Sequence, residues 1–387
     1  MKQYLRPVSK AACAHREILP AGVLGKQIGL YQNEEEFPEV SKFKFALLGV
    51  PEHRRDEDYM GASIEVDSVR MAFYGLYPGN WQWSMVDLGD IIPGASVSDT
   101  DFAMREVINE LLHLGLLPIV LGGSQDLLYA HYRAFDGVQD MINVVNVDHR
   151  FDLGDHQKPL SNKAYVGKMI AEKPYNLMNY GVLGYQSYLN PPEEIDLMEK
   201  LHFEAYRLGN LIQDITLAEP IMRQAQLVAV DVSSVKSSAM SFRYHKSPNG
   251  FDSREICALS RYAGISNDVK SFGIYELKSF DKHESAPNLV AQMMWYFIEG
   301  VSFRVSDGDF LNPNHFIVYS VPVDDMVLVF KKSKRTGRWW IELPNNNSSH
   351  NNLSTTALLP CTYDDYLSAT EQNIPDRWLK ARLRNKV

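Results

Sequence analysis

The chain has little cysteine and no long apolar run. Its 387 residues include three cysteines, Cys13, Cys257 and Cys361, which are far apart and follow no metal-binding or redox spacing. Such spacing predicts reduced, buried thiols in a cytoplasmic protein. No window of about 18 apolar residues is present, and basic residues interrupt the N-terminal segment. We therefore expect neither a membrane span nor a signal peptide.

The chain also lacks an excess of positive charge. Lys and Arg together number 39 against 48 Asp and Glu, which gives a formal charge of −9. This balance argues against nucleic acid or an anionic membrane as partner. The glycine-rich motifs of dinucleotide-binding and ATP-binding enzymes are absent as well. The composition does supply 45% hydrophobic residues, which is ample for a large core.

Short apolar segments alternate with helical patterns over some 250 residues. Each apolar segment is nearly unbroken, which is typical of a parallel strand covered on both faces. The predicted strands cover residues 44–51, 116–123, 142–148, 181–185, 227–232 and 271–276, and the clearest helices cover 101–116 and 287–300. The pattern predicts a three-layer α/β/α domain with a mainly parallel sheet.

The texture of the sequence changes after about residue 302. We divide the chain into an N-terminal segment (1–40), an α/β domain (41–302) and a C-terminal extension (303–387). The extension should contain a three-stranded meander (316–344), a polar loop (345–355) and a terminal helix from Asp376. The large apolar side chains of Trp339 and Trp340 should be buried against other residues. Either the extension packs on the same chain and extends its sheet edge, or it forms a surface for a homo-oligomer or another partner.

Polar residues follow four of the predicted strands. The segments at the carboxyl ends of these strands are "GGSQD" (122–126), "DHRFD" (148–152), "DVSS" (231–234) and Glu276 in "YELKSFD". Ligands of an open parallel sheet bind at the carboxyl ends of its strands. A single acid there is more often a helix cap or a solvated turn, but four strand ends in succession favour a site. We expect Asp148, Asp152, Asp231, Gln125 and Arg150 to converge at one edge of the sheet.

Six segments in this order resemble the arginase, agmatinase and formimidoylglutamase family of ureohydrolases, and most of all its formimidoylglutamase-like members. They are "VDLGD" (86–90), "LPIVLGGSQD", "VNVDHRFD", "VAVDVSS", "SPNGFDSREI" (247–256) and "YELKSFD", and "MGASIEVDSVRMAF" (60–73) resembles the family's helix entry. The resemblance covers roughly residues 40–300. It implies hydrolysis of a linear amidine C–N bond, with Asp148, Asp152, Asp231 and Glu276 as catalytic residues. It also implies that Asn249, Gly250 and Glu276 face the substrate, whose cationic end meets Glu276.

The departures from the family fall in its two-manganese centre. Its ligand positions correspond to Gln125, Asp148, Arg150, Asp152, Asp231 and Ser233, so two histidines and one aspartate are missing. Gln125, Asp148, Asp152 and Asp231 could still hold one hard cation such as Mn²⁺, Mg²⁺ or Ca²⁺. Arg150 and Ser233 remove the other position, and we expect Arg150 to fork onto Asp148 and Asp231 as a fixed cation. An ion-free cluster of salt bridges is the alternative.

No histidine clearly replaces the lost ligands. Strand alternation predicts that His149 points to the opposite face of the sheet, and His156 and His245 are more often surface histidines. Two functions therefore remain open. The chain is either a divergent amidine hydrolase with at most one ion, or a non-catalytic protein that binds an amidine-like or guanidine-like small molecule or a protein partner.

Overall fold

The computed structural model describes residues 1–58, 66–82, 84–241, 247–278, 285–310, 312–344 and 357–384. Within them, the strands of a ten-stranded sheet are β1 (Leu5–Arg6), β2 (Gly29–Leu30), β3 (Phe45–Val50), β4 (Met85–Ile91), β5 (Leu117–Gly122), β6 (Ile142–Val147), β7 (Leu177–Tyr185), β8 (Glu204–Arg207), β9 (Leu227–Asp231) and β10 (Ser271–Tyr275). A second, four-stranded sheet contains β11 (Phe316–Val323), β12 (Met326–Ser333), β13 (Trp339–Leu343) and β14 (Ala357–Cys361).

The helices of the described residues connect and cover these strands. They are α1 (Lys10–Ile18), α2 (Leu24–Gln27), α3 (Val66–Tyr74), α4 (Val97–His113), α5 (Leu127–Arg133), α6 (Val166–Ala171), α7 (Pro192–Lys200), α8 (Leu208–Gln213), α9 (Ala218–Arg223), α10 (Ser253–Ile265), α11 (Ser285–Ser302), α12 (Tyr363–Thr370) and α13 (Asp376–Arg384). None of them is both long and apolar enough to cross a lipid bilayer.

The large sheet has the strand order β1-β4-β3-β5-β10-β9-β6-β7-β8, with β2 paired to β4. Every pair is parallel except β1 with β4. The six predicted strands are all present, and β7 begins earlier than predicted. The N-terminal segment also takes part, since it contributes β1 and β2 to this sheet.

Two cores lie on opposite faces of the large sheet. Phe45 and Leu47 of β3 belong to a core shared with α10 and α11, whereas Ala46 and Leu48 belong to a core shared with α4 and α5. Successive side chains of a strand point to opposite faces, so an unbroken apolar strand supplies both cores at once. The prediction of a three-layer α/β/α domain is therefore confirmed.

Local sequence signals fix where the main helices begin. Ser96 and Asp99 form a capping box at the start of α4, and Asp252 and Glu255 form another at the start of α10. In α3, Arg70 is fully buried and pairs with Asp87 at 2.9 Å and Asp90 at 2.7 Å. Arg70 lies in the family-like segment 60–73 and both aspartates lie in the segment 86–90, so these two segments meet in a structural ion cluster. Residues 60–65 lie outside the described residues.

The C-terminal extension does not continue the large sheet. Strands β11 to β14 pair antiparallel in sequence order and form their own core with α12 and α13. The expectation of an extended sheet edge was therefore wrong, and β14 was not predicted. The helix at Asp376 is confirmed, whereas the predicted loop at 345–355 lies outside the described residues.

Side chains rather than backbone pairing join the extension to the α/β domain. Arg223 of α9 donates from Nη1 to the Trp339 carbonyl at 2.9 Å, and its guanidinium lies 4.8 Å from the centre of the Trp340 ring. Arg377 of α13 donates from Nε to Oε1 of Glu204 on β8 at 3.1 Å. The same chain therefore covers both tryptophans, while a role in oligomerisation stays a prediction.

Candidate metal and substrate site

The candidate residues lie at one edge of the large sheet. They follow the carboxyl ends of β5, β10, β9 and β6, which are consecutive neighbours in the strand order. Because parallel strands end at the same edge, the polar residues after these four strands meet there. The adjacency of β10 to β5 and of β9 to β6 brings residues from distant parts of the chain together.

Asp148, Asp152 and Asp231 are all buried, at 0%, 5% and 5% exposure. A carboxylate oxygen of Asp148, another of Asp231 and a ring nitrogen of His149 lie within 4.8 Å of one another. Burial raises the pKa of Asp152 and of Asp231, and the charge of Asp148 raises both further. The cluster thus carries more negative charge than its surroundings offset, which is the condition that favours a bound cation or a proton.

Gln125 contributes an oxygen atom that has no partner among the described residues. Asn146 donates from Nδ2 to Asp148 Oδ2 at 2.8 Å, so its Oδ1 faces Gln125 and accepts from Gln125 Nε2 at 3.1 Å. This orientation leaves Gln125 Oε1 buried without a hydrogen bond. An unsatisfied buried oxygen is costly, and it lies on a residue that the resemblance assigns to the metal centre.

His149 does not point to the opposite face of the sheet, and that prediction was wrong. Its Nδ1 lies 3.2 Å from Asp148 Oδ1 and 3.3 Å from Ser233 Oγ. The strand ends at Val147, and the Arg150 amide donates to Asp148 Oδ1 at 2.9 Å. Strand alternation therefore does not extend to His149. The sign in the sequence that could have placed His149 at the site was its position beyond Val147, the last residue of the strand.

The expected fork of Arg150 onto the aspartates was also wrong. Among the described residues, the Arg150 guanidinium has no carboxylate within the 4.0 Å of an ion pair, and its buried Nε has no hydrogen bond. Its charge acts on Asp152 from a greater distance, where it opposes the raised pKa only in part. Asp148 and Asp231 instead accept the backbone N–H groups of Arg150 and Ser233, at 2.9 and 2.6 Å.

Glu276 is buried and held by several donors. Its Oε1 accepts from the backbone N–H of Gln125 at 2.9 Å, and its Oε2 lies 2.6 Å from the ammonium of Lys278. Lys278 also pairs with Asp56 at 2.9 Å. The sequence reasoning missed Lys278, although this residue lies two positions after Glu276 in the family-like segment. Its importance depends on Asp56, which is far away in sequence.

Asn249 and Gly250 lie on a neighbouring cavity of about 420 Å³, which Gln186, Arg207 and Lys236 also line. Gln186 connects this cavity to the acidic cluster, since its backbone N–H donates to the His149 carbonyl at 3.1 Å. Glycine is required at position 250 because a Cβ atom there would lie 2.5 Å from the backbone nitrogen of Lys236 and from the carbonyl oxygen of Ser234. His245 lies outside the described residues. The roles assigned to Asn249 and Gly250 remain predictions.

A doubly covered parallel sheet with buried acids at its carboxyl edge defines the class of a ureohydrolase-type α/β protein. The model of the arginase family matches residues 43–299. The chain belongs to the arginase family. Residues 303–387 lie outside this match.

Curated and solved relatives agree with the predicted resemblance. The chain is 30% identical to a formimidoylglutamase of Streptococcus pyogenes serotype M49 over 282 residues, which is 66% of this chain and 84% of the relative. It is 24% identical to the formimidoylglutamase of Clostridium tetani over 288 residues, 68% and 85% of the two chains. The structure of Trypanosoma cruzi formiminoglutamase with Mn²⁺ superposes with a TM-score of 0.62 at 17% identity, covering 70% of this chain and 97% of the other.

A second solved structure, formimidoylglutamase from Bacillus subtilis, gives a TM-score of 0.63 at 16% identity and covers 77% of this chain and all of the other. The ureohydrolase fold and the resemblance to formimidoylglutamases are therefore confirmed.

Proposed function

We infer that this protein is a formimidoylglutamase-like hydrolase of a linear amidine C–N bond that works with at most one divalent ion. The observation that carries the proposal is the group formed by carboxylate oxygens of Asp148 and Asp231 and a ring nitrogen of His149. Asp152 is buried and lies near enough for the charges of Asp148 and Asp231 to raise its pKa, but it is not part of that group. The names of the relatives support the reaction type. Mn²⁺ in the structure of the Trypanosoma cruzi relative supports the kind of ion.

The residues do not fit a two-ion centre. Arg150 carries no lone pair for a metal, and Ser233 supplies a neutral hydroxyl where the resemblance implies a carboxylate. Gln125 replaces a histidine. Two divalent ions would therefore meet too few charged ligands, and no step of the reaction is assigned to a second ion.

The residues do fit one ion. Asp148, Asp152 and Asp231 supply carboxylate oxygens, and Gln125 supplies the unpartnered Oε1. An oxygen-only set suits Mg²⁺, Ca²⁺ or Mn²⁺, whereas a nitrogen from His149 would favour Mn²⁺. When bound, such an ion supplies the Lewis acidity that makes water a usable nucleophile near neutral pH.

The chain's own residues would bind and orient the substrate. Glu276 offers a buried carboxylate to the cationic amidine, and the cavity beside Asn249 and Gly250 offers space for the rest of the molecule. Arg207 and Lys236 in that cavity favour an acidic substrate such as a formimino amino acid.

The test combines metal analysis with a turnover assay. After dialysis against Mn²⁺, we expect at most one ion per chain and release of formamide from N-formimino-L-glutamate. Asp231→Asn should abolish both, whereas Asp376→Asn, at a side chain that is 74% exposed, should change neither. Two tightly held ions per chain, or no turnover with the ion bound, would contradict the proposal.

A non-catalytic binding protein is the second candidate. The observation that favours it is the ion pair between Lys278 and Glu276, because this pair already satisfies the carboxylate that would face the amidine. Binding of the formimino amino acid without release of formamide in the same assay would support this alternative.

A further inference from the structure

Each oxygen of the Glu276 carboxylate already has a partner among the described residues. Oε1 accepts from the backbone N–H of Gln125 at 2.9 Å and from Asn162 Nδ2 at 3.5 Å. Oε2 lies 2.6 Å from Nζ of Lys278. Glu276 also has a φ of +63°, a conformation that non-glycine residues adopt only when the surrounding structure holds them there. Its donors therefore fix the carboxylate in place.

Lys278 lies between two buried carboxylates. Its ammonium pairs with Oε2 of Glu276 at 2.6 Å and with Oδ2 of Asp56 at 2.9 Å. The side chains of Glu276 and Asp56 are 5% and 0% exposed, whereas that of Lys278 is 19% exposed. Asn162 joins the two acids, since its Nδ2 also donates to Asp56 Oδ1 at 2.9 Å. One cation thus serves two acids, and Lys278 reaches them from the more exposed side.

We propose that Lys278 is a built-in competitor for the cationic end of the ligand, and that it determines which ligands reach Glu276. Because the ammonium already pairs with Oε2, a ligand amidinium must compete with Lys278 for the negative charge of Glu276. Lys278 need not leave the site, because Asp56 remains as its second partner and the four-carbon stem is flexible. Entry of the ligand is therefore an exchange of cations at Glu276.

This inference rests on the proposed function, since it concerns the carboxylate that would orient the amidine. It predicts a specificity that the acids alone would not give. A small cation without further contacts should displace Lys278 only weakly, whereas an amidine whose other end binds in the cavity beside Asn249 should displace it more readily. Lys278 acts here as a specificity-determining residue and takes no part in bond cleavage.

The test measures binding of acetamidinium to the full chain in metal-free buffer by calorimetry. Lys278→Gln keeps a hydrogen-bonding group near both acids and removes the charge. We expect acetamidinium to bind this variant roughly 10- to 100-fold more tightly than the wild type, because the competing charge is gone; this change corresponds to about 1.4–2.7 kcal/mol. Adding Glu276→Gln should cancel the gain. Lys163→Gln is the matched control, because Lys163 pairs with Asp58 at 2.7 Å instead of with Glu276.

Two results would overturn the inference. One is equal affinity of the wild type and Lys278→Gln for acetamidinium, and the other is a gain that persists after Glu276→Gln. If the single variant does not fold, Asp56→Asn with Lys278→Gln removes one charge of each sign and permits the same comparison. The assay needs neither metal nor turnover, so a protein that hydrolyses no amidine can still give the expected gain in affinity. The competition by Lys278 and the hydrolase function can therefore be refuted independently of each other.

Discussion

Replacing His149 by glutamine should weaken divalent-cation binding, and the geometry gives the size of the effect. His149 Nδ1 and Asp148 Oδ1 are 3.2 Å apart. Two ligand atoms that each lie about 2.1 Å from an ion, at right angles to one another, are roughly 3.0 Å apart. The observed spacing therefore already suits one shared ion, with Asp231 within 4.8 Å to complete the group.

Losing residues that merely support metal ligands lowers affinity about 10- to 100-fold. His149 would itself be a metal ligand, so for His149→Gln we expect at least about 100-fold weaker Mn²⁺ binding, or roughly 2.7 kcal/mol. Affinity for Mg²⁺ and Ca²⁺ should fall less, because these ions prefer oxygen. The change in the ratio of the Mn²⁺ affinity to the Mg²⁺ or Ca²⁺ affinity is thus as informative as the loss of Mn²⁺ affinity itself.

Equilibrium dialysis with elemental analysis measures the affinity, and electron spin-echo spectroscopy of bound Mn²⁺ detects an imidazole nitrogen directly. The nitrogen signal should be present in the wild type and in the control His156→Gln, which changes an exposed histidine of the same loop. It should be absent in His149→Gln. Unchanged affinity, together with no nitrogen signal in the wild type, would refute the role of His149.

Three further predictions concern charges outside the ligand set. Arg150→Ala should change the free energy of unfolding by less than about 1 kcal/mol, because in the described chain its guanidinium touches no carboxylate; a loss of several kcal/mol in urea would restore Arg150 as a fixed counter-ion. Arg377→Met should cost about 3–5 kcal/mol in the same assay, because Glu204 stays buried without its partner, and Arg254→Met, at a side chain that is 93% exposed, should cost almost nothing. Burial lowers the pKa of His131 from 6.5 to about 3, so the neutral ring's contribution to the free energy of unfolding is complete above pH 6.5 and is lost as the pH falls toward 3. Between pH 7 and pH 4 the free energy of unfolding of the wild type should therefore fall by roughly 3 kcal/mol more than that of His131→Gln. Equal losses in the two proteins would contradict this.

The sequence alone determined the class of fold and which acids lie at the carboxyl edge of its sheet. Unbroken apolar segments such as Phe45–Val50 can be buried only between two layers. The box formed by Asp252 and Glu255 specifies where α10 begins. Acids at the ends of strands, such as Asp148 and Asp231, must lie at the carboxyl edge of a parallel sheet. These are local signals, and each depends on only a few consecutive residues.

The tertiary structure decided which charges meet. The prediction for His149 failed because a hydrogen bond from the Arg150 amide ends the strand alternation, and a periodicity rule cannot register that turn. The pairing of Lys278 with Asp56 joins residues more than 200 positions apart, through strand order and loop conformation. Long-range contacts of this kind depend on the register of the whole sheet. The sequence therefore indicated Asp148, Asp152, Asp231 and Glu276, whereas the fold determined that His149 lies beside Asp148 and that Lys278 pairs with Glu276 and Asp56.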